Sequence, residues 1–162
     1  MNENEKYDTK QFEGVYRYID YNHNGQEYFL IILKNGNALL LFEQSKDRIN
    51  LNNLLDIYEE SYETFEEMAR NFKSKEYEST LNLFSLRNVS NDDLYFSSTY
   101  NKIYGLPTYQ CLQIEAHFFP SYIPSMQPFL KLDLFSSHKE TKVSKNAERT
   151  KTLAGVSFTK FK

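Results

Sequence analysis

The sequence predicts a mainly β fold: an antiparallel up-and-down β-barrel of about eight strands with one inserted amphipathic α-helix. Three observations predict it. The 162 residues include 13 Tyr and 13 Phe but only 5 Gly and 4 Pro, and aromatic rings suit the pleated, half-buried surface of a sheet. Short runs of period two recur along most of the chain, punctuated by turn residues. One stretch instead repeats its apolar residues at spacings of three and four, which only a helix gathers on one face.

The elements follow in order. Residues 1–10 are polar and charged and read as a flexible arm. From Phe12 to Asp20 the run places Phe12, Gly14, Tyr16 and Tyr18 on one face of a first strand. Asp20–Gly25 supplies turn formers, and Glu27–Lys34 and Ala38–Glu43 flank Asn35-Gly36, a strong hairpin signal. Residues 51–73 form the predicted helix, with Leu51, Leu54, Leu55, Tyr58, Tyr62, Phe65, Ala69 and Phe72 as its apolar stripe. Its acids crowd the outer and N-terminal part and Arg70, Lys73 and Lys75 its C-terminal end, as the helix dipole favours. Strand periodicity resumes at 77–87, 93–100, 108–118, 128–136 and 153–161, with a charged loop at 137–151. Sequential strands with short connections leave no edge exposed when they close into a barrel. One domain, 1–162, accommodates all of this, since a chain of this size buries about 70% of its unfolded surface.

Charge and composition exclude several function classes. The formal net charge is −3, which gives no global attraction to nucleic acid. The charge is uneven: residues 51–80 carry eight acids and three bases, and residues 131–162 eight bases and three acids. These stretches read as solvated faces of opposite sign. The single cysteine, Cys111, forms no intrachain disulfide and reads as a small buried hydrophobe. The N-terminal residues lack the basic start and apolar run of a signal peptide, and no apolar run is long enough to span a membrane. As it stands the chain is expected in the cytoplasm, an export signal removed before residue 1 being the alternative.

Three features carry a family resemblance. Phe12-Glu13-Gly14-Val15-Tyr16 stands where lipocalin-like (calycin) barrels open their first strand with a Gly-x-Trp element, here with tyrosine in place of tryptophan. Asp93–Ser98, Thr108–Ala116 and Leu130–Leu134 resemble successive strands of such barrels, and Gly155–Phe161 resembles their closing strand. The sequence thus resembles the small bacterial lipocalin-like domains over most of its length. The resemblance implies a first-strand aromatic ring that plugs one end of the barrel.

Local motifs add little chemistry. Asp20-x-Asn22-x-Asn24-Gly25 matches the first half of a calcium-binding loop, but Ile31 stands where the bidentate acid belongs, so the segment reads as a turn. Three histidines, His23, His117 and His138, do not by spacing declare a metal site. Glu115 and His117 share a strand face with Tyr109, Cys111 and Gln113. The opposite face, Leu112, Ile114, Ala116 and Phe118, is apolar and expected to turn to the core, leaving Glu115 and His117 in solvent. No nucleophile elbow, phosphate loop or dinucleotide fingerprint is present. No catalytic residue, metal or cofactor is therefore assigned.

The function expected from this reading is the binding of a small apolar or amphipathic molecule in the barrel, with Tyr16, Tyr18, Phe96 and Tyr100 as the inward-facing contacts. The alternative is a protein-interaction module, an inhibitor, immunity or accessory protein, using the acidic helix face or the basic C-terminal loop. The two differ in salt dependence, since exposed charges steer protein association.

Overall fold

A computed structural model describes residues 9–42, 81–103, 105–121, 123–144 and 147–162. Nine strands run along them: β1 (Gly14–Asp20), β2 (Gln26–Ile32), β3 (Ala38–Phe42), β4 (Leu81–Ser90), β5 (Asp93–Ser97), β6 (Asn101–Lys102), β7 (Tyr109–Phe119), β8 (Phe129–Lys139) and β9 (Glu148–Lys160). Each pairs antiparallel with its neighbours in the order β5-β4-β3-β2-β1-β9-β8-β7-β6, and β5 also pairs with β7. That last pairing closes the ring. Eight strands form the barrel, and two-residue β6 lies beside β7 at the rim.

The expected barrel is thus present, but the expected inserted helix is corrected. The regular structure of the described residues is strand alone. β3 and β4 pair directly from Ala38↔Phe84 to Leu41↔Leu81, so the wall is continuous there. Segment 51–73, on which the helix was predicted, lies outside the described residues. The charged loop expected over 137–151 is also shorter: β8 runs to Lys139 and β9 starts at Glu148. The charges are compatible with strand because Arg149 and Lys151 face outwards, their cationic heads 3.5 Å and 5.3 Å from the Phe135 ring centroid, while their stems cover apolar surface.

Alternation decides which residues meet inside. Tyr16, Leu30, Ile32, Ala38, Leu40, Phe84, Leu94, Phe96, Ile114, Ala116, Phe118, Leu130, Leu132, Leu134 and Phe158 form one buried cluster with Phe12. Val15, Phe29, Ile31, Leu39 and Leu41 point the other way, yet they too are fully buried. Burial on both faces accounts for the continuous apolar runs of β2 and β3.

Turns and bulges fit the chain to this closure. In the β2–β3 hairpin, Leu33 and Gly36 hydrogen-bond within the turn, the Gly36 N–H donating to the Leu33 carbonyl at 2.9 Å. Asn24 and Asn91 take left-handed conformations in the β1–β2 and β4–β5 turns, as asparagine tolerates. β9 gains two extra residues against β8, around Leu132/Leu134 and Leu134/Phe135. Gly155, with φ +58°, makes one of these bulges, and its N–H donates to Asp133 Oδ1 at 2.7 Å. Such bulges sharpen strand twist and help a sheet curl into a barrel.

Candidate functional site

The two ends of the barrel differ. One end is closed by the turn before β1, where the Phe12 N–H donates to the Thr9 carbonyl at 2.9 Å. This brings the Phe12 ring edge-on against Phe118, with centroids 5.1 Å apart. Tyr16 lies directly above, and its hydroxyl donates to the Phe12 carbonyl at 2.6 Å. Leu30, Ile32, Ala38, Leu94 and Leu130 around them are all 0% exposed, with Leu86 and Val89 beside them partly buried.

Towards the other end several inward side chains of the described residues are less completely buried. Tyr18, Tyr28, Leu112, Leu153 and Val156 face inwards against the core cluster but are only partly buried. Tyr18, Tyr28 and Phe158 form an aromatic group at the boundary, with Tyr18 5.6 Å from Tyr28 and 5.5 Å from Phe158. Burial pushes the Tyr18 and Tyr28 phenols above the ordinary tyrosine value, and the Asp20 carboxylate pushes both further the same way. Asp20 is held in the β1–β2 turn, accepting from His23 Nδ1 at 2.8 Å and from the Asn22 N–H at 3.1 Å.

Above the apolar layers the wall turns polar. On β8 the inward series Leu130, Leu132, Leu134 continues as Ser136 and His138, which pair in register with Leu112 and Gln110 of β7. Gln110 Nε2 donates to Ser136 Oγ at 2.6 Å and lies 3.4 Å from His138 Nε2. Among the described residues, this half of the interior therefore has an apolar floor and a polar stretch of wall at Gln110, Ser136 and His138, with Ser136 buried.

A surface cleft lies along the outer side of β1 and β9. These strands pair in register only at Tyr16↔Lys160 and Arg17↔Thr159, extended towards the closed end by Val15 N–H to the Lys162 carbonyl at 2.9 Å. The next residues, Tyr18 and Phe158, meet through their rings on the inner side. The cleft, of about 560 Å³, is lined by Arg17, Tyr18, Ile19, Tyr21, Ser157, Thr159 and Phe161. Its volume falls within the roughly 300–1,000 Å³ typical of small-molecule sites.

The four residues expected as ligand contacts do not come together. Tyr16 and Phe96 are enclosed, at 0% and 2% exposure, and form part of the floor. Tyr18 stands at the boundary of floor and cleft. Tyr100 lies against the outer face of β7 and β8, with the Lys139 ammonium 3.9 Å from its ring centroid; the chain has left the β5 ladder at Ser97, so alternation no longer governs its side. Tyr28, Phe158, Gln110, Ser136 and His138 were not expected from the sequence as ligand contacts. The signal for the last two was the alternation of β8 continuing two steps past Leu134.

Glu115 and His117 face outwards, as the apolar face of β7 required. Arg149 Nη2 donates to Glu115 Oε1 at 2.8 Å, and His117 Nδ1 to Asp93 Oδ1 at 2.6 Å. Cys111 is also on the outer face yet buried, with its Sγ 3.0 Å from the Ser98 carbonyl oxygen. No group of three or more His, Cys, Asp or Glu that could hold a metal is found among the described residues. No helix among them is long and apolar enough to cross a membrane.

No family model, curated protein or solved structure matches the chain. What is established is its class, a closed eight-stranded antiparallel barrel, an architecture compatible with the calycin fold.

Proposed function

We propose that this chain is a lipocalin-like binding protein that takes a small apolar or amphipathic molecule into the open half of its barrel. The observation that carries this reading is that inward apolar side chains remain partly exposed, Tyr18, Tyr28, Leu112, Leu153 and Val156 away from the plug and only Leu86 and Val89 towards it. Accessible apolar surface inside a barrel gains by covering with a ligand, at about 25 cal/mol per Å² removed from water. Tyr18 is the contact at the boundary, Tyr16 and Phe96 support it from below, and Gln110 and His138 are the polar groups above, Gln110 already donating to buried Ser136.

The interaction-module reading has less support. Arg149 and Lys151, two of the three cations on β9, are matched by Glu115 and Asp133 at 2.8 Å and 3.9 Å, and the acidic segment 51–73 lies outside the described residues.

The test is a titration with N-phenyl-1-naphthylamine, a neutral probe that brightens in apolar surroundings. Saturable one-to-one binding, indifferent to salt and weakened by Leu112→Lys with the β-sheet circular dichroism retained, is expected. No brightening with folded wild-type protein would mean a barrel filled throughout and would sink the reading.

A further inference from the structure

We propose that the cleft along the outer side of β1 and β9 is a second binding site, and that it takes a small aromatic molecule carrying an oxygen acceptor such as a carbonyl. The site lies outside the barrel, so it holds whether or not the reading proposed above does.

The aromatic preference follows from the apolar lining. β1 and β9 lie side by side at Arg17↔Thr159, and alternation turns Ile19 of β1 and Ser157 and Thr159 of β9 to the surface, away from inward Tyr18 and Phe158. Tyr21, which opens the β1–β2 turn, and Phe161, just past β9, bring their rings to the same cleft. They are 82% and 41% exposed, so both offer ring surface to a ligand. Phe161 is held in place, since its ring packs edge-on against fully buried Phe29 at 6.2 Å. A ligand ring between such side chains gains more than its area alone, because aromatic rings attract through their quadrupoles. The planar Arg17 guanidinium, part-exposed at the cleft, favours a flat π-system for the same reason.

The acceptor follows from the polar lining. It consists of the Arg17 guanidinium and hydroxyl groups, with no carboxylate or amide side chain. Arg17 donates through Nη2 to Glu27 Oε1 at 2.5 Å. Its Nη1 and the hydroxyls of Tyr21, Ser157 and Thr159 make no hydrogen bond with the described residues. These groups can all donate, so an acceptor oxygen on the ligand finds partners there, whereas an ammonium group finds no carboxylate in the lining. At the barrel mouth, by contrast, Gln110 and Ser136 are engaged with each other.

The test is an NMR titration of the whole chain with coumarin, a flat aromatic lactone, and with octahydrocoumarin, which keeps the skeleton and the carbonyl but not the aromatic ring. Amide shifts that saturate together at Ile19, Tyr21, Ser157 and Thr159 are expected, with octahydrocoumarin binding at least about fivefold more weakly, as the loss of two ring contacts implies. Tyr21→Ala removes an exposed ring and should weaken coumarin about 2- to 10-fold. Ser157→Ala combined with Thr159→Val, both at exposed positions, should weaken it by a similar factor. Shifts confined to Tyr28, Leu112, Leu153 and Val156 would put coumarin inside the barrel, overturning the cleft site and leaving the barrel reading intact. The absence of any saturable shift also overturns the cleft site, and the naphthylamine titration then decides the barrel reading on its own. Equal affinity for the two lactones overturns the aromatic preference, and unchanged affinity in the Ser157/Thr159 double variant overturns the role of the hydroxyls.

Discussion

Truncating the plug should reveal how much the closed end contributes to stability. Phe12 is fully buried, its ring meets Phe118 at an interplanar angle of 82°, and its carbonyl accepts the Tyr16 hydroxyl. Phe12→Ala removes the ring from a filled site, where such a change costs about 3–5 kcal/mol. Against a stability of roughly 5–15 kcal/mol for a domain, that is a large fraction, and it corresponds to a fall in Tm of about 6–20 °C at this chain length. Phe12→Leu, which keeps much of the volume, should cost under about 1.5 kcal/mol. Tyr16→Phe leaves the buried Phe12 carbonyl without its partner and should cost about 1–3 kcal/mol. The double mutant separates two outcomes. If the backbone of the plug stays in place without its ring, the Tyr16→Phe cost persists in the Phe12→Ala background; if the segment lifts away, that cost collapses. Urea unfolding followed by circular dichroism measures all four proteins. A Phe12→Ala cost below about 1 kcal/mol would refute the claim that this ring closes the barrel.

Three further predictions are independent of any ligand. Gly14 has φ +149°, and a Cβ there would meet the Lys162 carbonyl oxygen at 2.4 Å; Gly14→Ala should therefore lower the urea midpoint far more than Gly25→Ala, where φ is +69° but no atom lies within 4 Å. Because burial raises the Tyr18 and Tyr28 phenols above 10.0, the folded protein holds these protons after the unfolded chain begins to lose them. Their effect on stability is nil below pH 10.0 and unfavourable as pH rises from there towards the raised folded values; ultraviolet titration should show late-ionising phenols, one fewer in Tyr18→Phe, and a normal titration of every phenol would contradict the burial. Arg149→Ala removes an exposed ion pair with Glu115 and the cover over Phe135. It should cost about 0.5–2 kcal/mol, taking an exposed pair and a cation–π contact together, and added salt should diminish the difference in urea midpoint.

The parts of the fold that were legible in the sequence are those governed by local chemistry. Asn35-Gly36 between apolar runs specifies a hairpin, and the alternation of Leu112, Ile114, Ala116 and Phe118 specifies the inward face of β7, hence the outward placement of Glu115 and His117. What was misread depended on partners distant in sequence. The charges of 137–151 resemble a loop until β8 is seen to place Phe135 beneath Arg149 and Lys151. The extra residues of β9 disturb its alternation, so no single period marks the strand from Glu148. Tyr100 follows the end of the β5 ladder, and a side chain outside a ladder has no side that alternation can assign. The cleft along β1 and β9 was illegible for a similar reason: it is lined by residues of two strands far apart in sequence, such as Arg17 and Thr159.

The central claim is that the open half of the barrel binds a small apolar or amphipathic molecule. Amide and methyl NMR spectra recorded during a titration with dodecanol test it most directly. Shifts that saturate together at Tyr18, Tyr28, Leu112, Leu153, Val156 and Phe158, with smaller changes at Phe12 and Tyr16, are predicted. Shifts confined to outward residues such as Tyr95 and Leu106, or spectra unchanged at saturation with the solute, would contradict it.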